Sequence, residues 1–288
     1  MRDFILSSET ACDLTQEQIE QFSLSILPMN FYVDGNEYNS KNSPLSTKDL
    51  CDKMKKGSTT KTSQPNEMEI ETYLTSLLLQ GKDVLHLSFS SAMSGTCNSF
   101  KTVAERLNKS HDHKIYVVDT LCQSAGLGLL LIMTANEIEE KQLSIVEARD
   151  YAENLKLQIN HYFIVEDLKY LARGGRISAT LATIGNLLKL KPVLYLDNTG
   201  TITQLQKVLG RKKALASLKD KIFNNFNHTH NEMIICHADA EDDAELVKSA
   251  ILERFPDVVV SINPLGPVIT SHSGPGTLAV FLTTNRRI

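Results

Sequence analysis

Short apolar runs of strand length alternate along the chain with longer segments whose apolar residues recur every three or four positions, the pattern of strands alternating with helices. Phe4-Ile-Leu6, the run 24–33, Val84-Leu-His-Leu87 and Lys114-Ile-Tyr-Val-Val118 read as strands. The helical spacing falls on 15–22, 46–54, 66–79, 121–140 and 144–158. Thr15 with Gln18, and Ser144 with Glu147, have the spacing of capping boxes. Asp34-Gly35 predicts a hairpin turn, and 59–65 reads as a polar loop. A second series begins with a strand at 161–165. It continues with a helical turn at 168–171 broken by Arg173-Gly-Gly-Arg176, and a helix over 178–189. Strands at 192–196 and 201–208 flank Asp197-Asn-Thr-Gly200, a hairpin. A helix over 211–226 precedes a β-α-β unit at 233–262, and a glycine-proline loop, 265–279, feeds a final apolar strand. This alternation predicts an α/β protein with mostly parallel sheets, divided into domains 1–160 and 161–288.

The stretch from Asp83 to Leu107 changes character twice. A strand gives way to small residues, Ser88 to Thr96, and then to Phe100, Val103, Ala104 and Leu107 at helical spacing. Ser94 and Thr96 stand where N-caps belong, and Gly95 allows close backbone approach. Ser94 and Gly95 suit an ordinary helix cap; they equally suit a seat in which free first-turn N–H groups and small hydroxyls receive an anion. In α/β sheets, ligands gather at the carboxyl ends of the strands, where these loops lie.

Composition narrows the classes. With 30 basic and 34 acidic residues in 288, the net charge of −4 gives no footprint for nucleic acid or an anionic membrane. No apolar run reaches spanning length and the start is too short for a signal-peptide core, so a cytoplasmic protein with at most transient membrane contact is expected. Cys12, Cys51, Cys97, Cys122 and Cys236 are scattered without Cys-x-x-Cys spacing, which points to reduced, buried thiols rather than disulfides or zinc. His111-x-His113 and His228-x-His230 lie in polar stretches and read as solvated loops, with no metal implied. Arg211-Lys-Lys213 opens a predicted helix, where positive charge opposes the macrodipole. That cost suggests a use for Arg211 and Lys212, with Arg173 and Arg176, in docking a phosphate or an acidic partner. Ser94, His272 and Asp119 or Glu9 supply the residue types of a hydrolase, yet no Gly-x-Ser-x-Gly elbow is present, and no nucleotide-binding glycine motif either. A small-anion binding module also fits the seat.

Four segments resemble, in order, the DegV family of bacterial lipid-binding proteins, including the FakB-type partners of fatty acid kinase. They are Thr62-Ser-Gln-Pro65, Ser90-Ser-Ala-Met-Ser-Gly-Thr96, Asp167-Leu-Lys-Tyr-Leu-Ala-Arg-Gly-Gly-Arg-Ile-Ser178 and Gly266-Pro-Val-Ile-Thr-Ser-His-Ser-Gly-Pro-Gly-Thr-Leu278. Where the family's first strand usually ends Thr-Asp-Ser, this chain has Ser8-Glu-Thr10. The resemblance implies a long-chain fatty acid held between two α/β domains, its tail in the N-terminal domain. Thr62, the Ser94 hydroxyl and the Gly95 N–H would hold the carboxylate, with Ser63 and Thr270 alongside and His272 close by. It also implies a fatty acid kinase catalytic subunit that phosphorylates the bound carboxylate. The chain itself would then bind and present, with no cofactor and no chemistry of its own.

Overall fold

The computed structural model describes residues 2–178, 181 and 190–287. Strands β1 (Phe4–Glu9), β2 (Ser25–Leu27), β6 (Asp83–Ser88) and β7 (Ile115–Asp119) form a parallel sheet in the order β2-β1-β6-β7. Covered on both faces, its central strands are buried almost throughout, β6 from Val84 to Ser88. Helices α3 (Glu67–Leu78) and α4 (Thr96–Leu107) pack one face through Ile70, Leu74, Phe100 and Val103. The other face meets α5 (Ala125–Lys141) and α6 (Ile145–Leu155). Helix α1 (Gln16–Gln21) and α6 start with the expected capping boxes, at Thr15 and Ser144.

The run 24–33 is two strands rather than one. Pro28 cannot donate to a ladder, so β2 ends at Leu27. The chain then enters a second sheet, made of β3 (Phe31–Val33), β4 (Asn36–Tyr38) and β5 (Thr60–Thr62), all antiparallel. Asp34 and Gly35, both at positive φ, make the β3–β4 turn. The expected loop at 59–65 contributes β5, whose threonines suit an edge strand. Helix α2 (Thr47–Lys55), capped by Ser46, packs Leu50 and Met54 on Phe31 and Val33.

The third sheet holds β8 (Ile159–Ile164), β9 (Leu190–Leu196), β10 (Ile202–Leu209), β11 (Glu232–Ala238), β12 (Val259–Pro264) and β13 (Thr277–Thr283) in the order β10-β9-β8-β13-β11-β12. The α/β class is as expected, but parallel pairing here is confined to β11–β12. The hairpin of β9 and β10 and the insertion of β13 between β8 and β11 make the other pairs antiparallel. A short return, unlike a long crossover, suits antiparallel strands. Helices α8 (Arg211–Asn225) and α9 (Glu241–Arg254) cover one face of this sheet. The helix expected over 178–189 lies largely outside the described residues.

Helix α5 packs between the parallel sheet and the third sheet, which explains why 127–133 is apolar on all sides. Gly126 and Gly128 permit that fit. A Cβ at Gly126 would lie 2.1 Å from His161 Nε2, and one at Gly128 2.6 Å from the Cys12 carbonyl oxygen. The helix starts at Ala125 rather than near 121 because Leu121 and Ser124 both take φ of 53°. Residues 265–279 are not a loop throughout: Pro267 opens a short helix, α10 (Pro267–Ser273), which Gly274 ends at φ 82°. All five cysteines are free and buried. Among the described residues, no helix is long and apolar enough to cross a membrane.

Candidate ligand-binding site

Beyond the carboxyl ends of β1 and β6, four chain segments close round a cavity of about 120 Å³. Thr62, Ser63 and Gln64 come from the end of β5, and Ser94 and Gly95 from the start of α4. Arg176 follows α7 (Lys169–Arg173), and His272 lies on α10. The other side is apolar, formed by Ala11, Met29, Phe89, Met93, Val268 and Ile269. A second apolar void of about 40 Å³ shares Ile269 and continues between Ser124, Phe163, Ala279 and Phe281.

Thr62 Oγ1 and His272 Nε2 lie 2.7 Å apart, although 210 residues separate them. The imidazole rests on Gly174, where a Cβ would stand 2.4 Å from Nδ1. Burial, and then the Arg176 charge, push the His272 pKa down to about 4, so the ring is neutral near pH 7. Arg176 is half-buried, and desolvation lowers its pKa. Guanidinium remains charged over any such shift. Its Nη1 donates to the Gly174 carbonyl.

A depressed histidine pKa has a definite consequence for stability. The unfolded chain takes up the His272 proton near pH 6.5 and the folded chain only near 4, so stability present above pH 6.5 is lost on acidification through that window. Wild type should therefore lose on the order of 3 kcal/mol more than His272→Gln between about pH 7 and about pH 4. Urea unfolding of both proteins across that range checks it, and equal acid sensitivity would refute it.

Gly95, in the right-handed helical region, is the N-cap of α4. The Ser94 hydroxyl instead accepts from the Thr96 N–H at 3.3 Å and lies 2.8 Å from Thr96 Oγ1. The Gln64 carboxamide lies over Gly95, and a Cβ there would meet its Oε1 at 2.4 Å. Gln64 belongs to the Thr62-Ser-Gln-Pro65 segment, but its residue type alone does not single it out as a lining group. Arg176, expected at a partner-docking surface, lines the cavity.

Other expected site residues meet different surroundings. Thr270 is fully buried and its hydroxyl donates to the Leu265 carbonyl, away from the cavity lining. Arg211 does not leave its charge unused at the helix start. Its Nε donates to Asp243 Oδ2 at 2.8 Å, and Glu166 stands 3.9 Å from Nη1. Both acids line, with Arg211, a groove of about 720 Å³ beside the 275–276 turn. Arg173 and Lys212 are exposed, Arg173 lying 5.8 Å from the Tyr170 ring. Glu9 is wholly buried and accepts from the Phe89 N–H at 2.7 Å. Asp119 Oδ1 accepts from the Ser91 and Leu121 N–H groups. The serine, histidine and acid of a hydrolase are thus each bonded elsewhere, and no relay joins them.

The family model for DegV, described as an uncharacterised protein, matches residues 6–285. A DegV domain-containing protein of Clostridium perfringens is 36% identical over 284 residues, covering 98% of this chain and 97% of its own length. The chain belongs to the DegV family. A fatty acid binding DegV family protein from Streptococcus agalactiae has the same fold, with a TM-score of 0.87 at 26% identity over 99% of this chain and 100% of that one. A DegV family protein from Thermus thermophilus, a structure reporting fatty acid binding, gives 0.86 at 27% identity over 99% and 100%.

Proposed function

We propose that this chain binds a long-chain fatty acid and presents its carboxylate to the catalytic subunit of a fatty acid kinase in the cytoplasm. One observation carries the reading. A single cavity sets two hydroxyls (Thr62 and Ser94), the helix start at Gly95 with Gln64 beside it, and Arg176 against a floor of apolar side chains. A buried carboxylate needs a cation and hydrogen-bond donors, and an alkyl chain needs the rest. The neutral His272 ring adds a donor or acceptor without a second charge. Solved DegV neighbours from Streptococcus agalactiae and Thermus thermophilus bind fatty acids.

The cavity has room for about four water-sized groups of ~30 Å³, enough for a head group and the first methylenes. Met29 and Met93, flexible and adaptable, are the side chains best suited to give way for the remainder. The void beyond Ile269 marks the direction we assign to the tail, between α5 and the third sheet, at the junction of a 1–160 and a 161–288 domain. Each buried methylene contributes about 0.8 kcal/mol, so ~15 supply on the order of 12 kcal/mol before the costs of binding. Binding and presenting require no chemistry from the chain.

Mass spectrometry after organic extraction of the purified protein tests the reading. Co-purified long-chain fatty acid, or stoichiometric uptake of added palmitic acid, is expected; finding neither contradicts it. For presentation, Arg173→Glu is expected to keep uptake but lower kinase-dependent phosphorylation at limiting concentration. Unchanged turnover would remove Arg173 from the docking surface.

A further inference from the structure

We propose that Asp13 is a positioning residue for the ligand site: its buried carboxyl clasps the N-terminal ends of α5 and α10 to the loop after β1, and loosening of this clasp with rising pH releases the helix carrying His272. The proposal rests on the binding reading above for its functional meaning, though the clasp itself is defined without a ligand.

Three connections meet at this buried residue. Asp13 Oδ2 accepts from the Ser124 hydroxyl, at the start of α5, at 2.6 Å. The Gly266 N–H, at the residue that opens α10, lies near enough to the carboxyl to lower its pKa, although Oδ1 makes no hydrogen bond of normal geometry. Contact there is so close that a Cβ on Gly266 would lie 2.2 Å from Oδ1. The Asp13 backbone carbonyl accepts from Asn263 Nδ2 at 3.1 Å, and the same amide donates to Gln18 Oε1 at 2.8 Å. Asp13 holds a left-handed backbone, φ 50°, to make these contacts, a conformation aspartate tolerates better than most residues. Helix α10 brings Val268, Ile269 and His272 to the cavity, so the point at which it is anchored sets three of the lining residues.

Among the described residues, no cation takes part in the clasp. Burial pushes the Asp13 carboxyl up to about 7, against the Ser124 hydroxyl and the Gly266 N–H, which pull it down. The titratable groups facing it are thiols, Cys12 from its own loop and Cys236 from β11, both raised by burial and by the Asp13 charge. Beside Ser124, the Gln123 N–H donates to His161, which burial and then Arg287 hold neutral. Glu9, at the end of β1, turns toward Phe89 and His86. A protonated Asp13 leaves no buried charge, and its carbonyl oxygen still accepts from the Ser124 hydroxyl. Ionised, it is stabilised by leaving for water.

The sign follows from linkage. An opened Asp13 titrates near the ordinary aspartate value of about 4 and the closed one near 7, so the closed state loses stability as pH rises through that window and levels off above it. His272, on the same helix and depressed to about 4, acts in the opposite direction, so wild type alone shows a muted profile. Asp13→Asn copies the neutral acid at every pH and isolates the effect.

Amide hydrogen exchange of α10 in the ligand-free protein reads the clasp directly. Protection in Asp13→Asn is expected to match wild type near pH 4, to exceed it by up to about tenfold per pH unit above that, and to level off above about pH 7. Ser124→Ala removes a bond that favours ionisation, so its levelling point is expected to move to higher pH. A protection ratio independent of pH, or a levelling point unmoved in Ser124→Ala, would overturn the clasp. Palmitic acid affinity at about pH 8 is expected to be higher in Asp13→Asn than in wild type. If exchange follows the pattern but neither protein takes up fatty acid, the binding reading fails and the clasp stands. If fatty acid is taken up but the exchange ratio is flat, the clasp fails and the binding reading stands.

Discussion

Arg176→Gln is expected to weaken long-chain fatty acid binding about a hundredfold, roughly 3 kcal/mol, while leaving the fold intact. A carboxylate drawn into a half-buried cavity must exchange its hydration for a partner of opposite charge, and among the described residues Arg176 is the cation lining this one. Removing it leaves Thr62, Ser94 and the Gly95 N–H as neutral donors, which orient the anion without balancing it. The substitution should not cost stability in the ligand-free protein, because desolvation already penalises the guanidinium there. It should also release His272 toward its ordinary pKa, since the Arg176 charge is one of two causes of its depression. Calorimetric titration with palmitic acid and urea unfolding of the same samples check both halves. A loss of less than about threefold in affinity would show that the carboxylate lies elsewhere.

Glu9→Ala is expected to destabilise the fold by about 3–4 kcal/mol. Glu9 and His86 are completely buried, with Oε2 and Nε2 3.1 Å apart. The other oxygen accepts from the Phe89 N–H at 2.7 Å and from the Ser88 hydroxyl at 3.3 Å. His86 continues the network through Ser7, 2.9 Å from its Nδ1, to Tyr73 and Ser25. It also stacks on Phe100 at 3.7 Å. Alanine strands the Phe89 amide in a place water cannot reach and takes the carboxylate away from the imidazole beside it. Because Phe89 lines the cavity, ligand affinity should fall as well. Glu9→Gln keeps an acceptor for Phe89 and should cost less than alanine. Urea unfolding midpoints rank the three proteins, and an alanine variant as stable as wild type would refute the role.

What the chain reveals unaided is what local chemistry decides. The capping boxes at Thr15 and Ser144, the Asp34-Gly35 turn and the β9–β10 hairpin each depend on neighbours within a few residues, and each is found. The parallel pairing of β11 and β12 follows from the helix between them. Pairing over long separations leaves no such mark. Nothing in 277–283 says that this strand sits between β8 and β11, and nothing in Thr60-Lys-Thr62 says that it pairs with Phe31–Val33. The site divides in the same way. Thr62, Ser63, Ser94, Gly95 and His272 are legible through their resemblance to a family and do meet at one cavity. Arg176 is legible as a charge for docking a partner rather than as a cavity group, because its direction depends on α7 and α10 coming together. Arg211 misleads for a related reason: its helix start is unfavourable in isolation, but Asp243, 32 residues away, offsets it.

The most direct measurement is a crystal structure of the protein loaded with palmitic acid. The carboxylate is expected within about 3 Å of Thr62 Oγ1, Ser94 Oγ or the Arg176 guanidinium, with the alkyl chain buried past Ile269. A carboxylate seated outside this cavity, or a chain lying on the surface while Met29, Phe89 and Met93 keep their places, would contradict the account.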